Sequence, residues 1–254
     1  MIGIDDILRT VAPEAIKGVA ASIPNAVNKA RFKNFFGAPV IGGENVFIVL
    51  DPYEYAVSRS DLPPGQARFV KRFHGRRADA PVIGEDKLLR SCSVRVTKYA
   101  AEAFAKFQAK EKRARIVLDE EVINLWDGSF FCFGSADCNI KTFDIENLPQ
   151  NNLYALGFDE DRHRCFVVNG ERFSIAPRID RGIVARFLNP YFTEHFLFIC
   201  AGLGEWGASG AAYFLFDQWR RLNARFRNRR NFCLVIEVET NSDQSAKEIH
   251  AYSP

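Results

Sequence analysis

The sequence predicts an α/β fold in three layers, with a mixed, largely parallel sheet and an N-terminal helical arm, and three observations predict it. Residues 46–50, VFIVL, are a short continuous apolar run ending at Asp51-Pro52, as expected of a strand buried on both faces. Residues 196–219, FLFICAGLGEWGASGAAYFLFDQW, pass from an apolar run through Gly202-x-Gly204-x-x-Gly207 into a helical pattern. A third apolar run, 130–133, enters the turn Gly134-Ser135-Ala136-Asp137-Cys138-Asn139 in the same way. Strand, turn, helix is the unit from which parallel sheets are built.

The chain has 254 residues, 47% hydrophobic and 26% charged, enough to bury a full core. A net charge of +3 is too small to argue for nucleic acid as the partner. Met1 is followed by Ile-Gly-Ile-Asp-Asp, acidic where a secretory signal is basic. No apolar run reaches the roughly 18 to 20 residues of a membrane span, so a cytoplasmic location is expected. The six cysteines include no C-x-x-C pair, and the four histidines no H-E-x-x-H spacing, so neither a disulfide framework nor a metal site is expected. No G-x-S-x-G nucleophile elbow is present.

In chain order, residues 1–40 read as the helical arm. Ile4, Ile7, Leu8, Val11, Ile16, Val19 and Val27 recur near helical spacing, broken at Pro13 and Pro24. Packing on the body is one use of such an arm; oligomerisation or contact with a membrane surface are others. Residues 41–240 read as the ligand-binding domain. After the first strand, 51–85 is a long segment rich in Pro, Gly and charge, followed by a helix candidate over 86–112. Residues 116–118 and 130–133 are short strands; 154–158, 165–168 and 172–176 suggest antiparallel ones, with Asn169-Gly170 as a hairpin turn. The strand 196–201, a helix from about Ser209 to Arg225, and the strand 232–238 form the last unit. Residues 241–254 read as a polar, frayed C-terminal tail.

In an open α/β sheet, ligands bind beyond the carboxyl ends of the strands. Asp51, Ser135, Asp137, Asn139, Gly202, Gly204, Glu205, Gly207 and Ser209 all follow apolar runs directly and converge on one edge if those strands are parallel. Gly202, Gly204 and Gly207 are expected to take positive φ and leave the first helical amides open to a phosphate. Ser135, Asp137 and Asn139 also suit helix capping. Asp137 and Glu205 compete with a bound anion, which fits them better to sugar hydroxyls. Arg76 and Arg77, between the first strand and its helix, are placed to close over a phosphate. The cluster Arg220 to Arg230 lies about five helical turns from Gly207, at the opposite edge, and is expected to serve the helix C-terminus.

The stretch Gly202-Leu203-Gly204-Glu205-Trp206-Gly207, between 196–201 and its helix, resembles the phosphate-binding turn of Rossmann-like proteins. More loosely, the chain resembles Rossmann-like nucleotide-sensing or nucleoside-processing domains of the SLOG and deoxyribosyltransferase-like kinds. The resemblance implies a nucleotide or nucleotide-derived ligand, bound as a sensor or regulatory module. It also implies an enzymatic alternative, cleavage or transfer at an N-glycosidic bond with Glu205, Asp51 or Asp137 as the carboxylate. A third reading is an interaction or scaffold protein without a ligand.

Overall fold

The central sheet is built on β1 (Val46–Leu50), whose five residues are all buried because both faces of the strand are covered. The structure, a computed structural model, describes residues 26–37, 45–50, 53–58, 68–72, 89–91, 94–108, 114–136, 138–227 and 231–254. β5 (Ala114–Leu118) and β6 (Ser129–Phe133) flank β1, both parallel to it. β11 (Phe196–Gly202) continues parallel beside β6, and β10 (Ile179–Leu188) then runs antiparallel between β11 and β12 (Phe232–Glu239). β13 (Lys247–Tyr252) pairs antiparallel with β12 and closes a seven-stranded mixed sheet of order β13-β12-β10-β11-β6-β1-β5. The α/β expectation and the mixed sheet are therefore observed.

Alternation along the strands separates two cores. Val46, Ile48, Leu50, Phe131, Phe133, Phe198 and Cys200 face α1 (Ala26–Phe36), α2 (Val94–Gln108) and α4 (Glu205–Arg225). Phe47, Val49, Phe130, Cys132, Ile199 and Ala201 face α3 (Ile140–Glu146) and a small sheet of β7 (Ala155–Phe158), β8 (Arg164–Val168) and β9 (Glu171–Ser174). The first core is largely aromatic. Phe131 and Phe198 stack at 4.8 Å, and Phe36 of α1 rests on both. Burying such rings contributes about 2 to 3 kcal/mol each, which secures α1 to the sheet.

Several elements differ from the sequence expectations, each for a physical reason. The segment read as a loop over 51–85 contains β2 (Tyr53–Ser58) and β3 (Arg68–Arg72), which join β4 (Leu89–Ser91) in a second small antiparallel sheet. The helix read over 86–112 begins only at Val94, because Leu89–Ser91 pairs with β2 as a strand. β10 was not legible as a strand because Asp180, Arg181, Gly182 and Arg186 interrupt its apolar pattern. The segment read as a tail supplies β13, an edge strand with no continuous apolar run, in which Lys247 and Ile249 are exposed and Glu248 and His250 half-buried. α4 starts at Glu205, four residues earlier than expected. The Asn169-Gly170 turn is observed, with φ of 49° and 84° joining β8 to β9. Of the arm, 26–36 forms α1; residues 1–25 lie outside the described residues.

Candidate functional site

Topology fixes where loops diverge. β1 and β11 send their chains to helices on the first face, whereas β6, lying between them, sends its chain to α3 on the second. Adjacent strands whose connections leave on opposite faces mark a switch point, the place where open α/β sheets form a ligand crevice. Gly134 and Ser135 follow the carboxyl end of β6, both buried, and the turn carries Gly134 at φ 114°.

The glycine turn beside this crevice already holds an anion. Asp180, at the start of β10, places its carboxylate against the N-terminus of α4: Oδ1 accepts from the Gly204 amide at 3.0 Å and Oδ2 from the Gly207 amide at 2.7 Å. Oδ1 also accepts from the Arg181 amide at 2.7 Å. The carboxylate thus satisfies the helix N-terminus as a phosphate would, and complements the dipole there. Absence of side chains at the glycines makes this approach possible. A Cβ on Gly204 would lie 2.6 Å from Asp180 Oδ2, and one on Gly207 2.1 Å from the Arg181 carbonyl. The expected positive φ is corrected: Gly204 has φ −130°, an extended value open to any residue. Close packing of β10 on α4, and not unusual backbone conformation, requires glycine at these positions. Gly202 is buried in the same contact, where a Cβ would meet the Ala208 amide at 2.1 Å.

The β6 junction is likewise tied to its surroundings. Asn139 caps α3, its Oδ1 accepting from the Thr142 amide at 2.9 Å, and its Nδ2 donates to the Phe133 carbonyl at 3.1 Å. Asp119, fully buried at the end of β5, accepts from the Ile140 amide at 2.7 Å and so supplies the carboxylate for this second helix N-terminus. The Ser135 hydroxyl faces Cys138 Sγ at 3.8 Å. Ser209 is engaged within α4 and beyond it, donating to the Trp206 carbonyl and to Asp243, which also accepts from Tyr99 of α2. Asp51, Asp137, Arg76 and Arg77 lie outside the described residues.

Glu205 and Trp206 are the members of the predicted turn that face outward. The Arg95 guanidinium, in the first turn of α2, lies 3.4 Å from the centre of the Trp206 ring, and its Nε is 3.8 Å from Glu205 Oε1. Both helices begin at the carboxyl edge, so a cation, an indole and a carboxylate meet beside the crevice. Arg95 was not singled out from the sequence; its position at a helix start, following a strand by one inserted sheet, is the signal that was there to find. At the opposite end of α4, Arg221 and Arg225 both pair with Glu248 of β13, and Arg220 lies over the Trp219 ring at 4.9 Å. These arginines secure the edge strand to the helix.

On the second face, buried titratable groups line α3. Tyr154 donates to Glu146 Oε1 at 2.6 Å, and burial pushes the Glu146 carboxyl up to about 7. Burial brings the Lys141 ammonium down to about 8, although it donates to the Ile123 and Leu125 carbonyls. Cys132, Cys200 and Cys233 are buried core residues, and that burial raises their thiols. Among the described residues no group of three or more His, Cys, Asp or Glu side chains is placed to hold a metal ion, and no helix is long and apolar enough to cross a membrane.

Compared with known proteins, the chain matches no family model and no curated protein sequence.

Proposed function

We propose that this chain binds a nucleotide or nucleotide-derived small molecule at the carboxyl edge of its parallel strands, as a sensor or regulatory module on a Rossmann-like sheet. The observation that carries the reading is the divergence of the connections around β6, together with the contact of Arg95 and Trp206 at the starts of two helices on the first face. An indole under a guanidinium offers a flat surface for a base and a fixed cation for a phosphate. Asp180 holds the Gly204 and Gly207 amides, so the phosphate contact in this reading comes from Arg95 and not from those two amides. Glu205 lies beside the same guanidinium, 3.8 Å from Arg95 Nε, where its carboxylate oxygens can accept from a sugar hydroxyl.

Mass spectrometry of small molecules released from the purified protein tests the proposal without assuming a reaction. A nucleotide-type guest is the expected result, and its absence from both this measurement and a thermal-shift screen of nucleotides overturns the reading. Release of free base on incubation would replace the sensor by an N-glycosidic enzyme.

A further inference from the structure

At the amino ends of β6 and β11, two loops hold apolar side chains in the open. Tyr191 is 61% exposed, Phe192 38%, and Ile123 and Leu125 37% each. The Trp126 ring lies 5.2 Å from that of Tyr191 and joins the two groups. Isolated exposed apolar residues are ordinary; a cluster drawn from two separate loops marks a contact surface.

The patch is held in place from beneath. Buried Asn189 donates to the Trp126 carbonyl at 2.6 Å and the Gly128 carbonyl at 3.2 Å, while its Oδ1 accepts from the Tyr191 and Phe192 amides. Buried Lys141 donates to the Ile123 and Leu125 carbonyls with its Nζ 3.6 Å from the centre of the Trp126 ring. Rings presented by hydrogen-bonded loops lose little freedom on contact, which is the condition under which Tyr and Trp become binding hot spots.

Charge selects the partner. Residues 120–128 contain Glu120, Glu121 and Asp127, residues 189–195 contain Glu194, and neither segment contains Lys or Arg. Lys141, the basic group beneath the patch, is buried with its ammonium turned to the Ile123 and Leu125 carbonyls, and Arg115 of β5 lies over the Phe47 ring. Carboxylates around an apolar surface disfavour nucleic acid and anionic membranes, both of which require cations from the protein. We infer that this patch docks a partner protein through a segment combining apolar side chains with lysines or arginines.

Fluorescence anisotropy of the full chain tests the inference, with a labelled amphipathic Leu/Lys peptide as the probe and a Leu/Glu peptide of the same pattern as its control. The Leu/Lys peptide should bind at least about tenfold tighter than the Leu/Glu peptide, and more weakly as salt rises. Tyr191→Ser with Phe192→Ser should weaken it about tenfold or more. Glu194→Lys should weaken it severalfold and flatten the salt dependence. The exposed positions of all three residues leave the melting temperature near that of the parent, which circular dichroism checks. Equal binding of the two peptides, no effect of the substitutions, or self-association of the chain through Tyr191 and Phe192 without peptide binding would each overturn the assignment.

Discussion

Asp180 supplies from a neighbouring strand the cap that Gly204, lacking a side chain, cannot give to α4. Charge-assisted hydrogen bonds of this kind contribute about 1.5 to 3 kcal/mol each, so Asp180→Ala should lower stability in urea denaturation by about 2 to 4 kcal/mol. Asp180→Asn, which keeps an acceptor, should cost less; an unchanged midpoint for both variants would remove Asp180 from the cap. The glycine spacing was legible in the sequence, but its partner was not, because the carboxylate comes from 24 residues upstream in a strand the pattern concealed. Glu146 gives a second prediction at this scale. Its carboxyl titrates near 7 when folded against 4.5 when unfolded, so the folded chain holds the extra proton between those values. Stability from this group is full below about pH 4.5 and is lost as pH rises through 7, by about 3 kcal/mol. Glu146→Gln should abolish that slope and be more stable than the parent at pH 8, as chemical denaturation across the pH range would show. A parent whose stability is flat between pH 5 and 7.5 would contradict it.

Arg186 joins three elements where the sequence offered only an interruption in an apolar run. From β10 it donates to the Phe35 carbonyl in the last turn of α1, at 3.0 Å, and to the Phe226 carbonyl that ends α4, at 3.4 Å. The rings of Phe35, Phe196 and Phe232 surround the guanidinium within 5.2 Å. Burial brings its pKa down to about 9, which leaves it a cation at neutral pH facing two helix C-termini. Arg186→Ala should therefore destabilise by about 3 kcal/mol or more and increase hydrogen exchange in α1 ahead of the β sheet. Arg186→Lys should recover only part, since a single ammonium does not span both carbonyls. Uniform exchange across α1 and β1 in the Ala variant would refute the clasp. A buried cation in a strand reads as a loop when only periodicity is considered, and β13 reads as a tail for the complementary reason that an edge strand tolerates polar residues. Strands buried on both faces, β1, β6 and β11, were legible because nothing polar enters them.

Across the whole molecule, the parallel strands place their carboxyl ends on one edge, and the turns after β6 and β11 lie side by side there. Asn139 caps α3 as its residue type suggested, but other contacts differ from the expectation: Asp180 and Asp119 provide the anions at two helix starts, Ser209 binds Asp243, and Arg95 stacks on Trp206. These contacts arise between residues far apart in the chain, beyond the reach of local spacing. Binding at that edge is the central claim, and a thermal-shift titration with adenine dinucleotides, cyclic nucleotides and nucleoside phosphates tests it most directly. At least one should raise the melting temperature of the parent chain, because a ligand bound only by the folded state stabilises it. The account predicts that this shift is lost in Arg95→Ala with Trp206→Ala and kept in Asp180→Asn. A shift that survives the double substitution, or no shift with any nucleotide, would contradict it.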